Sequence, residues 1–356
     1  MSSNITLFGI DYEGWDDLVS SFPDYDVYYL KGYVTAFQLH GDGLPFLVYF
    51  EGENLRALKV VMMRDISLSP FFSEKISPNT YFDLITPYGY GGFIFDGKIS
   101  PVRIEKLWKA YILLLNEKGI VSDFTRFHPL LRNAEPIRSC SDVIDIGPTI
   151  SMDLSSKDVI YENLLRNNRN KIRKAQKSGV VIKHGHDPVL WDSFIPIYEM
   201  TMDKDNAVPY YYFKRDFFES IQKDLEGRYE MFYALLDNKI IAMAIMLYAN
   251  GKMHYHLSGS DIEYRNFAPT NLLLFEAACW GCDQGLKTLH LGGGVGAGDD
   301  SLYKFKEGFN KKSNNMFSIG KSVVNQKVYD YLVDIRKKGD PDFNVDSSFF
   351  PLYRCL

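Results

Sequence analysis

Six basic residues lie close together near the middle of the chain, with no acidic residue among them. They are Arg166, Arg169, Lys171, Arg173, Lys174 and Lys177. Apolar residues in the same stretch recur at helical spacing, which predicts an amphipathic helix with one buried face. Basic side chains three or four residues apart then share the opposite face, where they repel one another. This stripe favours an anionic partner such as an RNA backbone, a diphosphate or carboxylates. The alternative is a solvated face paired with acids from elsewhere in the chain.

A glycine-rich segment is a second candidate for ligand binding. Five glycines occur between Gly292 and Gly298, directly after a predicted strand. Glycine at this density lets the backbone approach a ligand closely and present its N–H groups. No Gly-Lys-Ser/Thr sequence follows, and the first half of the chain has no dinucleotide fingerprint with an acidic partner. We therefore do not expect ATP or NAD as a ligand.

The stretch from Tyr81 to Gly92 is the most unusual in composition. Tyr88 and Tyr90 flank a glycine and follow Pro87. Proline and glycine at these positions predict a rigid bend that displays aromatic faces and phenol hydroxyls. A sugar or peptide acceptor would bind to such a platform. The alternative is a turn that packs aromatic rings into the core.

Patterns for metal, redox or nucleophilic chemistry are weak. Cys279 and Cys282 have the CxxC spacing, but they fall inside a predicted helix and no second pair exists. His254 and His256 share one face of a predicted strand, with no third ligand close in sequence. No Ser-His-Asp elbow is present. We expect neither a metal ion nor a cofactor.

Hydrophobic periodicity predicts the elements that must position these residues. In the first 150 residues it predicts strands at 33–39, 45–49, 58–63 and 120–127. A helix is predicted at 101–117, where Ser100 and Pro101 supply an N-cap and a first-turn proline. Beyond Ser151 the predicted helices are 157–177, 189–202, 213–225, 269–284 and a short helix around Tyr303. The predicted strands there are 229–236, 240–248, 253–258 and 288–291.

The order of elements recurs along the chain. A strand, a polar turn and a second strand occur in each half, followed by a glycine-terminated helix that leads into a further strand, at an offset of roughly 170 to 185 residues. The sequence therefore predicts a mixed α/β protein with two related halves, each a largely antiparallel sheet flanked by helices. The alternative is that hairpins and glycine-capped helices are simply common.

Length and composition are those of a globular protein. The 356 residues suffice for about two domains, and 46% are apolar against 24% charged. The longest apolar run, 240–249, is half of the roughly 20 residues that a membrane-spanning helix needs. The N-terminus lacks the basic region of a signal peptide, and four scattered cysteines suit a reducing compartment. We therefore expect a cytoplasmic protein. Because its net charge is -5, a polyanion could bind only at a local patch of basic residues.

In its motifs the chain resembles the Fem-type proteins (FemA, FemB and FemX) of the GNAT superfamily, over nearly its whole length. The matching segments are 83–92 (DLITPYGYGG), 126–130, 167–180, 201–207, 210–213, 254–260, 290–294 and 302–309. Fem-type proteins transfer amino acids from aminoacyl-tRNA to a peptidoglycan precursor. No sustained heptad pattern indicates a coiled-coil arm, so the shorter FemX type is the closer analogue.

The resemblance implies a domain organisation and site residues. It implies one GNAT-like domain formed by residues 1–150 with 322–356, whose C-terminal tail packs back, and a second formed by 151–321. Lys306 matches the lysine that stabilises negative charge in the reaction, with Lys304 as the competing choice. Lys204 stands where many relatives have arginine, which weakens bidentate recognition of a carboxylate. The substrate-binding residues expected are Tyr88, Tyr90, Tyr211, Tyr255, Lys204, Arg169 and Arg173.

The segment before the predicted helix at 269 indicates which acyl donor the protein can bind. Ordinary GNAT enzymes hold the pyrophosphate of acetyl-CoA with glycine N–H groups at a helix start. Here larger residues, Ala268 and Thr270, fill the glycine positions, and Pro269 lacks an N–H. A pyrophosphate would lose its cradle, which agrees with an aminoacyl ester as donor but leaves open a CoA thioester bound in another way.

The sequence thus predicts an aminoacyltransferase that joins an amino acid from aminoacyl-tRNA to the amine of a peptidoglycan precursor. The expected acceptor is a UDP-linked or lipid-linked muropeptide, peripheral contact with the membrane surface is an option, and DNA is not expected as a partner. One alternative is an N-acyltransferase that uses acyl-CoA and an amino sugar of a surface polysaccharide. The other is a non-catalytic module that binds tRNA or a sugar nucleotide.

Overall fold

The computed structural model describes residues 4–355, which form two compact units. Unit 1 contains the residues up to Ile146 and those from Phe317 onward, and unit 2 is Gly147–Met316. The chain passes from unit 1 to unit 2 within one strand and returns within another. None of the helices in residues 4–355 is both long and apolar enough to cross a membrane.

Residues 4–141 contain six strands and three α-helices. The strands are β1 (Ile5–Gly9), β2 (Leu44–Gly52), β3 (Leu55–Asp65), β4 (Phe82–Ile85), β5 (Ile94–Gly97) and β6 (Ile120–Arg126). The helices are α1 (Trp15–Ser20), α2 (Lys31–His40) and α3 (Pro101–Glu117).

Unit 2 and the returning segment supply the remaining elements. The strands are β7 (Asp142–Asp153), β8 (Val181–Gly185), β9 (Tyr229–Leu236), β10 (Lys239–Ala249), β11 (Lys252–Ser260) and β12 (Thr288–Gly292). The helices are α4 (Lys157–Asn163), α5 (Arg166–Lys177), α6 (Val189–Lys204), α7 (Arg215–Asp224), α8 (Pro269–Asp283) and α9 (Ser301–Glu307). Strand β13 (Asn315–Val323) and helix α10 (Gln326–Gly339) follow.

The sheet of unit 1 has the strand order β1-β2-β3-β4-β6-β13, with β5 paired to β3. Its pairs are antiparallel except β4 with β6, which are parallel. Helix α3 lies between β5 and β6 in the chain and buries Ile104, Leu107 and Tyr111 in the core of this unit. Parallel neighbours need such a crossover, which explains the position of α3.

The C-terminal segment packs on strand β4 of the same unit. Asp83, on β4, is fully buried and forms ion pairs with Arg64 on β3 and with Arg354. Tyr353 donates a hydrogen bond to the same carboxylate. A buried carboxylate needs such partners, and they hold the strand that leads into the Tyr88–Tyr90 bend.

The sheet of unit 2 has the order β7-β12-β11-β10-β9-β8, in which only β11 and β12 are parallel. Alternate residues of β10 point to opposite faces. Ala242, Ala244 and Met246 lie in the core that contains α5 and α8. Helix α6 packs on β10 and β11 without contributing to that core, so it covers the other face.

The predicted fold class, mixed α/β with two related halves, is confirmed. Each unit has antiparallel hairpins, then a helix, then a parallel strand, in the order predicted from the sequence. Helix α3 begins and ends at the predicted residues, with Pro101 in its first turn. The side chain of Ser100 makes no capping hydrogen bond, so the proline alone marks that start.

Two predicted elements are wrong. The predicted strand 33–39 is helix α2, in which Tyr33, Val34 and Phe37 are buried at helical spacing and Gly41 ends the helix with φ 103°. The predicted helix 157–177 is two helices, because Leu164 and Leu165 are extended. The side chain of Leu164 is fully buried in the core, which fixes this break.

Candidate active site

Lys306 lies on α9, directly after the glycine-rich segment. Its side chain is 9% exposed, and its Nζ donates a hydrogen bond to the carbonyl oxygen of Gly293 at 2.7 Å. Asp300 caps α9 by accepting from the backbone N–H of Tyr303, and its other oxygen accepts from the N–H of Val295, both at 2.8 Å. This carboxylate therefore fixes the glycine-rich segment and the helix that carries Lys306 in one arrangement.

Burial lowers the pKa of the Lys306 side chain. Desolvation lowers the pKa of Lys306 to about 8, although the nearby carboxylate of Asp300 acts in the opposite direction. The ammonium form is therefore retained at neutral pH and lost at mildly alkaline pH. A cation held in a buried position by one carbonyl is suited to stabilise negative charge that develops during a reaction.

Lys304 occupies a different environment from Lys306. It is exposed and forms ion pairs with Asp299 at 2.9 Å and Glu307 at 3.4 Å, which raise its pKa. Residues two apart on a helix point in diverging directions. The geometry therefore favours Lys306 over Lys304 for the predicted catalytic role.

We expect the charge of Lys306 to appear in the pH dependence of the chemical step. With a pKa of about 8, Lys306 loses its proton as the pH rises through this value, whereas an arginine stays charged. The ratio of the wild-type single-turnover rate to that of Lys306→Arg should be constant at neutral pH and fall above about pH 8. A ratio that stays constant into the alkaline range would show that this charge does not act in the reaction.

Helix α5 begins beside the segment that carries Lys306. The backbone N–H of Leu165 donates to the carbonyl of Gly308 at 3.0 Å. Asn168, in the first turn of α5, is buried and accepts a hydrogen bond from Asn271 in the first turn of α8. The start of α5, the start of α8 and the segment after Lys306 are therefore neighbours within unit 2.

The basic face of α5 is not neutralised. Five of its six basic residues are exposed and Arg169 is half-buried. Within residues 4–355, no carboxylate forms an ion pair with any of the six. The guanidinium groups of Arg169 and Arg173 lie over the ring of Tyr161, 5.6 and 6.0 Å from its centroid. The alternative in which acids from elsewhere pair with this stripe is therefore excluded for the described part of the chain.

The start of α8 offers few donors to a phosphate group. Ala268, before the helix, has φ 54°, a conformation that favours glycine, and no side chain caps this end. Pro269 is the first helical residue and has no N–H. The N–H of Asn271 bonds to the carbonyl of Ala268. This arrangement lacks the glycine N–H groups of a pyrophosphate cradle.

Strands β11 and β12 pair only over their first residues. The parallel register runs from Lys252 to His254, although β11 continues to Ser260. A bulge in the pairing of β10 with β11 falls at His256. Burial and the neighbouring His254 lower the pKa of His256 to about 3, so it stays neutral at physiological pH. Tyr255 is half-buried against the core, and its hydroxyl donates to Ser258.

Tyr88 and Tyr90 lie in unit 1. The ring of Tyr88 stacks on Phe37 with centroids 5.5 Å apart, and Tyr90 packs edge-on against Tyr28 at 5.7 Å. Both tyrosines are half-buried, and burial raises the pKa of the Tyr90 hydroxyl. Gly89 has φ 88°, and a Cβ there would lie 2.6 Å from Tyr28, so the bend requires glycine. The bend packs one side of these rings and exposes part of each.

Lys204 is the last residue of helix α6, and Tyr211 lies in the segment that follows this helix. Lys204 is exposed and pairs with Asp205 at 3.0 Å, while the backbone carbonyl of Tyr211 accepts from Tyr198 at 2.8 Å. Because α6 covers the sheet face opposite α5 and α8, the structure does not group these two residues with Arg169 and Arg173. The predicted binding residues of unit 2 thus lie on two faces of its sheet.

Sequence reasoning missed the residues that position Lys306 and α5. Asp300 could have been found, because an aspartate immediately before a short predicted helix is a typical N-cap. The Asn168–Asn271 contact joins residues 103 positions apart, and no local pattern indicates it.

Replacing single tyrosines by phenylalanine tests the predicted acceptor platform. For Tyr88, Tyr90, Tyr211 and Tyr255 we expect each loss of a hydroxyl to weaken acceptor binding by about 0.5 to 1.5 kcal/mol. Calorimetry with a UDP-linked muropeptide measures this, and the exposed Tyr331 on α10 provides a control substitution. A fall in melting temperature without a binding defect would assign these tyrosines to packing instead.

Comparisons with known proteins identify a matching domain family and similar folds. Residues 163–307 match the acetyltransferase (GNAT) domain model. The structure is similar to that of FemX, with 14% identity over 92% of this chain and 99% of that chain and a TM-score of 0.66. It is also similar to a conserved protein of unknown function from Bacteroides thetaiotaomicron, with 10% identity over 89% and 99% of the two chains and a TM-score of 0.57.

A search of curated protein sequences finds no match. The domain match nevertheless supports acyl transfer as the class of activity, and it covers α5, α8 and Lys306. The resemblance to Fem-type proteins predicted from the sequence is confirmed for the fold, which is similar to that of FemX, and the part of unit 2 from residue 163 to residue 307 matches the GNAT acetyltransferase domain.

Proposed function

We propose that the protein transfers an amino acid from aminoacyl-tRNA to the amine of a peptidoglycan precursor, forming an amide. The observation that carries this proposal is the uncompensated basic face of α5, which begins beside the segment of Lys306. A polyanionic donor bound along α5 would have its charge neutralised there. Similarity of the fold to FemX supports the same assignment.

In this mechanism the acceptor amine attacks the ester carbonyl that links the amino acid to the 3′-terminal ribose. The carbonyl π electrons move to oxygen, and the Lys306 ammonium stabilises the resulting negative charge. When the intermediate collapses, the bond to the ribose oxygen breaks and the amide forms. The proton lost by the amine balances the one that the ribose hydroxyl gains. The hydrogen bond from Lys306 to Gly293 holds the ammonium in place before the reaction.

The acceptor in this proposal is a UDP-linked or lipid-linked muropeptide. A lipid-linked acceptor would bring the protein to the membrane surface as a peripheral partner. Charged tRNA is present in the cytoplasm, so we place the reaction there. The aromatic bend at Tyr88 and Tyr90 supports a role in binding the sugar or peptide part of the acceptor.

Measuring which acyl donor the protein binds distinguishes this proposal from acyl transfer that uses acyl-CoA. Because the start of α8 lacks a glycine cradle, we expect calorimetry with acetyl-CoA to show no tight binding. A non-hydrolysable aminoacyl-tRNA analogue should bind, with an affinity that falls steeply with salt. A dissociation constant for acetyl-CoA in the low micromolar range, about -8 kcal/mol, would favour the acyl-CoA alternative. Binding of tRNA without any transfer would favour a non-catalytic module.

A further inference from the structure

The exposed side of α5 carries basic residues along the whole length of the helix. Three buried residues define the side that packs on the core. With about 3.6 residues per turn, Arg166, Arg173 and Lys177 project from the opposite side, and all three are exposed. Within the twelve residues of α5, all described by the structure, there is no acidic residue and no exposed apolar residue. We call Arg166, Arg173 and Lys177 the basic line.

The composition of the basic line favours a nucleic-acid backbone over a membrane surface. A helix that lies on a membrane buries an apolar face among the lipid headgroups. The apolar residues of α5, Ile172 and Ala175, are instead buried in the core of unit 2. A phosphate backbone is bound by cations placed along its path. The basic line supplies such cations, and no carboxylate in the described part of the chain pairs with them.

Helix α5 runs away from Lys306. It begins beside the segment of Lys306, because the N–H of Leu165 donates to the carbonyl of Gly308 at 3.0 Å. Its C-terminal end leads into β8, and three strands separate β8 from β12, the strand before the glycine-rich segment. At about 1.5 Å per residue, Lys177 lies about 16 Å further along the helix axis than Arg166. The basic line therefore starts near Lys306 and ends well away from it.

We propose that α5 contacts tRNA in a fixed order, with the unpaired 3′ end at its first turn and the paired acceptor stem at its last turn. This inference rests on the proposed function, which puts the aminoacyl ester of the 3′-terminal ribose at Lys306. A stacked strand advances about 3 Å per nucleotide, so the basic line spans about five nucleotides. This length passes the unpaired 3′ end of a tRNA and reaches its first base pairs. Arg166 therefore contacts the single strand, and Lys177 contacts the duplex.

The contact at Lys177 makes the acceptor stem part of what the protein recognises in its donor. Double-stranded RNA is recognised mainly through its shape and its phosphates, because its deep major groove is closed to side chains. A lysine on a phosphate carries no sequence information. We therefore expect this contact to raise the affinity for any paired stem that ends in the tRNA 3′ sequence, whichever amino acid is attached.

Two RNA probes without an amino acid test this order. One is a hairpin that contains an acceptor stem and ends in CCA, and the other is a short single strand with the same 3′ end. The full-length protein is titrated with each probe at several salt concentrations. For Lys177→Gln we expect the slope of log affinity against log salt to fall by about one with the hairpin and to stay at the wild-type value with the single strand. For Arg166→Gln we expect a fall of about one with both probes.

The two variants are matched, because each removes one charge from an exposed position of the basic line, and circular dichroism checks that both fold. Equal effects of Lys177→Gln on the two probes, or no effect on the hairpin, would overturn the order and leave RNA as the donor. No binding of either probe by the wild type would contradict the proposed function as well. If Lys177→Gln weakened binding to phosphatidylglycerol vesicles and not to the hairpin, the end of α5 would be assigned to a lipid surface and the inference overturned.

Discussion

Replacing Lys306 with methionine is expected to reduce the single-turnover rate of amide formation about 100- to 1000-fold, with acceptor affinity nearly unchanged. The ammonium of Lys306 would interact with charge that exists only in the transition state, so its loss affects the chemical step and not substrate binding. Methionine keeps most of the buried stem, so the loss of rate could not be assigned to a cavity. Single-turnover kinetics with saturating donor measures the step directly.

Lys304→Met is the matched control, because it removes an ammonium from the same helix. Lys304 is exposed and paired with Asp299 and Glu307, so its removal should leave the rate close to that of the wild type. A wild-type rate in the Lys306 variant would refute its assignment. A large loss in the Lys304 variant alone would transfer the role to that residue.

Reversing the charge of Arg169 and Arg173 to glutamate is expected to weaken tRNA binding at least about tenfold at moderate salt. Each arginine removed from a phosphate contact should also lower the slope of log affinity against log salt by about one. A titration of binding at several salt concentrations measures both effects. The face that carries these residues has no ion pair within residues 4–355, so the reversal breaks no ion pair there.

Lys214→Glu with Lys223→Glu is the control for this variant. Both lysines are exposed and belong to the start and last turn of α7, and the double reversal changes the net charge by the same amount. We expect it to leave the salt slope unchanged. Equal weakening by both double variants would mean that tRNA responds to the net charge alone and that α5 is not its binding surface.

Local sequence patterns correctly predicted the helices and strands whose boundaries are determined by residues within the element itself. Helix α3 has an apolar stripe and a proline in its first turn, so both of its ends were predicted correctly. Helix α2 was mistaken for a strand, because its short run of aromatic and β-branched residues suits either structure. The break at Leu164 and Leu165 depends on burial and on Gly308, which is distant in sequence.

Some features of the candidate site were likewise predictable from local sequence, and others were not. The unbalanced charge of α5 is a local property of the sequence, and the structure leaves it uncompensated in the described residues. The choice of Lys306 depended on a resemblance, and the structure adds its burial and its bond to Gly293. The hydrogen bond between Asn168 and Asn271 was not predicted, because these residues are 103 positions apart in the sequence.

The identity of the product tests the central proposal most directly. Purified protein is incubated with a UDP-linked muropeptide, and separately with a lipid-linked one, together with either a set of charged tRNAs or a set of acyl-CoA compounds. The mass of the muropeptide is then measured by mass spectrometry. We predict a mass increase of one amino acid residue with charged tRNA, absent in Lys306→Met at short times, and no increase with acyl-CoA. An acyl group acquired from acyl-CoA, or no change in either muropeptide with every charged tRNA, would contradict the proposal.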